Sequence, residues 1–270
     1  IKLNPPVVKP TTTVVEEKQE PEDYMATLDE VFEKFSKKQV LKSWNSHKSF
    51  KYLFRGNFTK FKNYINTFGK LKRDSGRNSC INPEHLEKDY NIDTDFPLQV
   101  VNNVVNDELS ELLKKYYKET ISEKVWPLGD RQSNRYKTHN EPMSRFLHYE
   151  ILPLIEKIVN KRLKPTYTYL SCYVKDADLP PHTDRAECEY TVSFVVDKPD
   201  GTNWDIYVHK KRQPIKHKGR YYVTIPHEEC EAVDCDAGGL MLFQGTDRIH
   251  FREKLPFDYY NILLLHYQSV

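Results

Sequence analysis

His182, Asp184 and the distant His250 are the residues whose types and spacing could do chemistry. Two imidazoles and one carboxylate cover one face of an octahedral metal and leave the opposite face open. That arrangement suits ferrous iron that must also hold a chelating cosubstrate and dioxygen. In an extended chain, residues two apart point the same way, so His182 and Asp184 would converge at a strand end. His250 follows the apolar run Leu240–Phe243, which predicts a second strand able to bring it to the same ion. Taken singly, these residues have plainer readings. His182 could be a surface histidine after a Pro-Pro turn, Asp184 a turn carboxylate, and His250 an interior imidazole bonded to backbone.

The surrounding text carries more. PTYTY from Pro165, LPPHTDRAECEY from Leu179, LFQGTDRIHFRE from Leu242 and LHY from Leu265 resemble the 2-oxoglutarate/Fe(II)-dependent dioxygenases, and among them the bacterial prolyl-hydroxylase-like group. The resemblance covers residues 96–270. It implies an α+β, mainly β chain: a double-stranded β-helix, or jelly roll, with buttressing helices. It also implies Fe(II), 2-oxoglutarate and O2 as cofactor and cosubstrates, with His182, Asp184 and His250 as catalytic metal ligands. Many members carry a Lys or Arg about ten residues after the second histidine to hold the distal carboxylate of 2-oxoglutarate. Tyr259, Tyr260 and Asn261 occupy that stretch here, a departure from the pattern. Arg252, two residues after His250 and on its side of an extended strand, is the expected replacement, because a guanidinium binds carboxylate with two prongs. An ion pair with Glu253 or Asp258 is its alternative. Tyr173 could give a hydroxyl to the same carboxylate or simply pack. In related halogenases a small residue replaces the carboxylate ligand, so Asp184 favours hydroxylation.

Other residues bear on substrate. Arg131 and Arg135 lie in the segment 126–140, where such enzymes place a substrate loop, and Trp204 and His209 follow the turn at Pro199–Gly201. Each has surface charge or packing as its alternative. Arg185, Glu187 and Glu189 read as a salt-bridged rim. The substrate could be a prolyl or other peptidyl side chain, a free amino acid or a natural-product intermediate. A non-enzymatic jelly-roll binding module and a cupin-type metal-dependent isomerase are the rival functions.

These residues need elements to position them. The 270 residues can bury a sizeable core, and a net charge of +2 argues for no global attraction to nucleic acid or membrane. No apolar run approaches the roughly 20 residues of a membrane span. Five cysteines without a CxxC pair read as free thiols in a reducing cytoplasm, so a cytoplasmic location is expected. Residues 1–22 lack the apolar content to fold and read as a disordered tail or linker. Residues 23–95 read as a small helical region, with Leu28, Val31, Phe32 and Phe35 at helical spacing. Its stretch 34–73 interleaves Lys and Arg with aromatics, so it could touch nucleic acid, or pack its aromatics on the catalytic domain. Within 96–270, a strand is expected over Leu98 to Val105. A helix capped by Asp107 should follow, then a second helix opened by Asn140–Pro142 and divided by Pro153, then strands to the end.

Overall fold

The computed structural model describes residues 80–90, 95–122, 124, 126–212 and 224–270, together with Thr59. The expectations for residues 1–22, and for the helical and nucleic-acid readings within 23–79, lie outside the described residues.

Two antiparallel sheets form the body. The larger contains β1 (Leu98–Val101), β2 (Arg135–His139), β3 (Leu163–Val174), β5 (Tyr190–Asp197), β8 (Leu240–Phe243) and β10 (Tyr259–Ser269), in the order β1-β8-β5-β10-β3-β2. The smaller contains β4 (Leu179–His182), β6 (Ile206–His209), β7 (Cys230–Val233) and β9 (His250–Arg252), in the order β4-β9-β6-β7. Among the described residues, four helices accompany them: α1 (Pro83–Glu87), α2 (Asp107–Ser122), α3 (Pro142–Glu150) and α4 (Leu152–Val159). This is the jelly roll with buttressing helices that the sequence led us to expect.

The central strands of the larger sheet are apolar on both faces, and the period of two explains why. Val192, Phe194 and Val196 of β5 join Leu263, Leu265 and Tyr267 of β10 and Leu240 and Leu242 of β8 in a core shared with the helices. The alternate residues Val195, Ile262, Met241 and Phe243 face the smaller sheet and pack with Trp204, Ile206 and Val208. One sheet thus divides two cores, as layered domains require. Towards one end the inner face becomes polar, with Thr191, Ser193 and His266 replacing aliphatic residues. That change from apolar to polar marks the site.

Local details correct three expectations. The first strand stops at Val101, because Asn103 takes a left-handed conformation (φ 51°) and Val105 instead bridges to Ile81. Asn106 caps α2, not Asp107: its Oδ1 accepts the Leu109 N–H at 2.9 Å. The expected loop over 126–140 contains β2, which pairs with β3. The division near Pro153 does occur. α3 ends at Glu150, and Pro153 sits in the first turn of α4, where its missing N–H costs nothing. Glu141 opens α3, accepting the Ser144 N–H at 2.9 Å and the Tyr116 and Tyr117 hydroxyls at 2.8 and 2.6 Å. Residues 80–82 join the same body, since Ile81 is buried in the helix-side core and the Asn82 N–H donates to Val104 O at 2.9 Å.

All five cysteines are free and buried. Among the described residues, no helix is long and apolar enough to cross a membrane.

Candidate active site

Strand register brings the triad together. β4 pairs with β9 so that His182 lies directly opposite His250, with an irregularity at Pro180–Pro181 between the two paired positions. Their ring centroids are 4.2 Å apart. Asp184 follows β4, tied back by its N–H, which donates to Gly245 O at 2.7 Å. Its Oδ1 lies 3.7 Å from His182 Nε2 and 3.6 Å from His250 Nε2. Both separations are below the roughly 4.2 Å that two donors, each about 2.1 Å from one ion, can span. The ligand atoms of all three residues lie within 4.8 Å of one another.

The outer hydrogen bonds decide which atoms are free to bind. His182 Nδ1 lies 2.8 Å from Pro180 O, and His250 Nδ1 lies 3.1 Å from Arg248 O. A carbonyl only accepts, so each Nδ1 carries the proton and each Nε2 presents its lone pair. Burial, aided by the neighbouring His250, pushes the His182 pKa down to about 3, which keeps that imidazole neutral. Burial alone would raise the Asp184 pKa, but His250 and then His182 hold it well below the usual carboxylate range. Thr191 Oγ1 donates to Asp184 Oδ2 at 2.8 Å and lies 3.1 Å from His266 Nδ1. Because the one hydroxyl proton goes to the carboxylate, His266 Nδ1–H must donate to Thr191. Two imidazoles presenting Nε2 and one anchored carboxylate fit a divalent, borderline-hard ion.

Gly245 makes this packing feasible. A Cβ there would collide with Asp184 Oδ2 and sit 2.6 Å from Thr191 Oγ1 and 3.0 Å from Cys188 O. Gly245→Ala should therefore displace the carboxylate and weaken metal affinity by about 10- to 100-fold, the usual cost of disturbing a ligand's outer partners. Calorimetric titration with Mn(II), beside an unchanged circular dichroism spectrum, checks this. Affinity equal to that of the parent protein would contradict the packing argument.

A cavity of about 570 Å³ opens on the triad. Its lining includes Arg252 and Tyr173, the residues expected to hold 2-oxoglutarate, and Arg131 and Arg135, expected to touch substrate. Arg252 is 2% exposed and stacks on Trp204 and Tyr260, with its guanidinium carbon 4.7 and 4.9 Å from their ring centroids. Nη1 donates to Trp204 O, while Nη2 is buried without a hydrogen-bond partner. No ion pair joins Arg252 to Glu253 or Asp258; Glu253 lies 3.1 Å from His227 instead. A buried donor left unpaired at a cavity wall suits a carboxylate ligand. Tyr260 packs its ring against the arginine. The Tyr173 hydroxyl accepts from Arg135 Nη1 at 2.7 Å.

Neither Trp204 nor His209, expected near the substrate, lines this cavity. Ile206 of β6 does, so period-two alternation turns Tyr207 and His209 outward. His209 Nε2 lies 3.1 Å from Glu229 Oε2. Trp204 packs between the sheets, and its indole N–H donates to Glu253 O at 2.8 Å. The rim expected of Arg185, Glu187 and Glu189 is partly a short 3-10 turn (Ala186–Cys188), and the Glu189 carboxylate accepts from Ser269. Only Arg185 of the three lines the cavity. Thr191, Gly245, His266 and Lys137 escaped sequence reading. His266 was at least visible in the LHY motif, whereas a lone Thr or Gly gives no signal without the register.

Asp130 organises the cavity's outer loop. Its Oδ1 accepts the Gln132 and Ser133 N–H groups, both at 2.7 Å. Its Oδ2 accepts Arg135 Nε at 2.9 Å and the Tyr169 hydroxyl at 2.8 Å. Burial opposes ionisation, but Arg135 and the backbone donors outweigh it and lower the pKa to about 2. A depressed carboxylate pKa stabilises the fold fully above the unfolded value of about 4 and loses that contribution as pH falls through 2. Urea unfolding of Asp130→Asn should therefore show a deficit at pH 6 that shrinks between pH 4 and 2. A deficit independent of pH over that window would contradict the assignment.

No protein-family profile and no curated protein matches this sequence. Solved structures do. The epimerase SnoN, in complex with Fe3+, alpha ketoglutarate and nogalamycin RO, matches with a TM-score of 0.53 at 11% identity, over 70% of this chain and 85% of that one. The alpha ketoglutarate dependent carbocyclase SnoK matches with a TM-score of 0.50 at 12% identity, over 65% and 80%. A prolyl-4-hydroxylase from Pseudomonas putida matches with a TM-score of 0.48 at 10% identity, over 65% and 94%. The chain has the double-stranded β-helix fold of the 2-oxoglutarate/Fe(II)-dependent oxygenases.

Proposed function

We propose that this protein is an Fe(II)- and 2-oxoglutarate-dependent dioxygenase that hydroxylates an unactivated C–H bond, with conversion of 2-oxoglutarate and O2 to succinate and CO2. The observation that carries the reading is the convergence of His182 Nε2, His250 Nε2 and Asp184 Oδ1 on one point at the wall of a 570 Å³ cavity. Iron bound there with 2-oxoglutarate supplies the oxidising chemistry, which no side chain of the protein can. Pro180 and Arg248, through their carbonyls, orient the two imidazoles. Thr191 fixes the carboxylate rotamer, so that Oδ1 alone points inward. Arg252 binds the distal carboxylate of 2-oxoglutarate through its free Nη2, and Tyr173 flanks it. Trp204 and Tyr260 cover the guanidinium and keep water from competing. The substrate, a small molecule or a peptidyl side chain, occupies the outer cavity between β2, β3 and Arg185.

Succinate release tests the proposal. Protein given Fe(II), 2-oxoglutarate and O2 should form succinate slowly alone and faster with a substrate drawn from peptide and metabolite libraries. That substrate should gain one oxygen atom. Folded protein that binds iron but leaves 2-oxoglutarate intact under oxygen would overturn it.

A further inference from the structure

The outer cavity carries more positive charge than its cofactors can use. Among the described residues its wall holds five cationic side chains (Arg131, Arg135, Lys137, Arg185 and Arg252) and two carboxylates, Asp130 and Asp184. Asp184 belongs to the triad, and Asp130 is committed to Arg135 at 2.9 Å. Iron(II) and 2-oxoglutarate bring equal and opposite charges and Arg185 is itself engaged, so loading the site leaves Arg131 and Lys137 as the excess.

The excess is also arranged. Arg135, Lys137 and His139 take alternate positions on β2, so all three face the cavity. Register sets Arg135 against Tyr173, Lys137 against Ser171 and His139 against Tyr169 on β3. A basic stripe therefore runs beside a tyrosine stripe, with Arg135 4.9 Å from the Tyr169 centroid and His139 4.6 Å from it. Arg135 is spent internally, on Asp130, Tyr173 and Gln132. Lys137, the next position outward, and Arg131, on the loop that Asp130 pins, make no ion pair among the described residues. Two cations at a cavity with low-dielectric aromatic walls concentrate anions.

The geometry points to a primary substrate that carries an anionic group, carboxylate or phosphate, held by Lys137 and Arg131, with its body against Tyr167, Tyr169 and His139. This deepens the dioxygenase reading and rests on it for the word substrate, but not for the anion site. The test is calorimetric titration of the whole protein, loaded anaerobically with Fe(II) and saturating 2-oxoglutarate, with benzoate, phenyl phosphate, benzamide and benzylamine. The two anions should bind at least about tenfold more tightly than the neutral and cationic analogues, as charge-assisted hydrogen bonds require. Whichever anion is tighter names the group. In the doubly substituted Arg131→Gln, Lys137→Gln protein, that preference should disappear while the visible band of bound Fe(II) and 2-oxoglutarate still forms. Equal binding of all four probes, or a preference that survives the double substitution, would overturn the inference. An anion preference that depends on both residues, in protein that never forms the band, would uphold the anion site and remove the dioxygenase reading.

Discussion

His182→Ala should abolish metal binding and turnover and leave the fold standing. The side chain ends a short strand, 8% exposed, and belongs to neither hydrophobic core. Truncation therefore removes a ligand without opening a large cavity among aliphatic neighbours. The remaining pair, Asp184 and His250, holds an ion with two donors in place of three. Disturbing an outer partner costs about 10- to 100-fold in affinity, so loss of a direct ligand should exceed about 100-fold. Mn(II) titration by calorimetry gives the affinity, and circular dichroism with thermal unfolding gives the fold. Parent-like affinity would take His182 out of the site.

Arg252→Ala should raise the 2-oxoglutarate requirement by about 10- to 150-fold. That range corresponds to about 1.5–3 kcal/mol for a hydrogen bond to a charged group. The guanidinium also packs on Trp204 and Tyr260, so truncation removes contact area as well as charge. Arg252→Lys separates the two effects. It keeps the charge and much of the stem but cannot offer the planar fork, and its requirement should fall between those of the parent and the alanine variant. Mn(II) affinity without 2-oxoglutarate should be the same in all three. Half-saturation unchanged in Arg252→Ala would take Arg252 out of the carboxylate site.

The triad was legible because its first two members are local. Two residues apart on an extended chain means one face, and no tertiary information is needed. The pairing of His182 with His250 was not, since strand register over such a sequence distance is fixed by the packing of two sheets. Arg252 could be placed relative to His250 by the same alternation. Trp204 and His209 show the limit of that rule: alternation separates two faces without saying which one meets the cavity. Ile206 settled the phase, and it points His209 away. Asn106 and Asp107 are adjacent residues of equally good capping type, so propensity could not choose between them. Gly245 and Thr191 act on Asp184 through space alone, and only the assembled sheets reveal them.

The most direct measurement is the visible absorption spectrum of the protein after anaerobic addition of Fe(II) and 2-oxoglutarate. A weak charge-transfer band should appear, saturate at one iron per chain, require both additions, and vanish in Asp184→Ala. Folded, iron-loaded protein that shows no band with saturating 2-oxoglutarate, or a band indifferent to Asp184→Ala, would contradict the central claim.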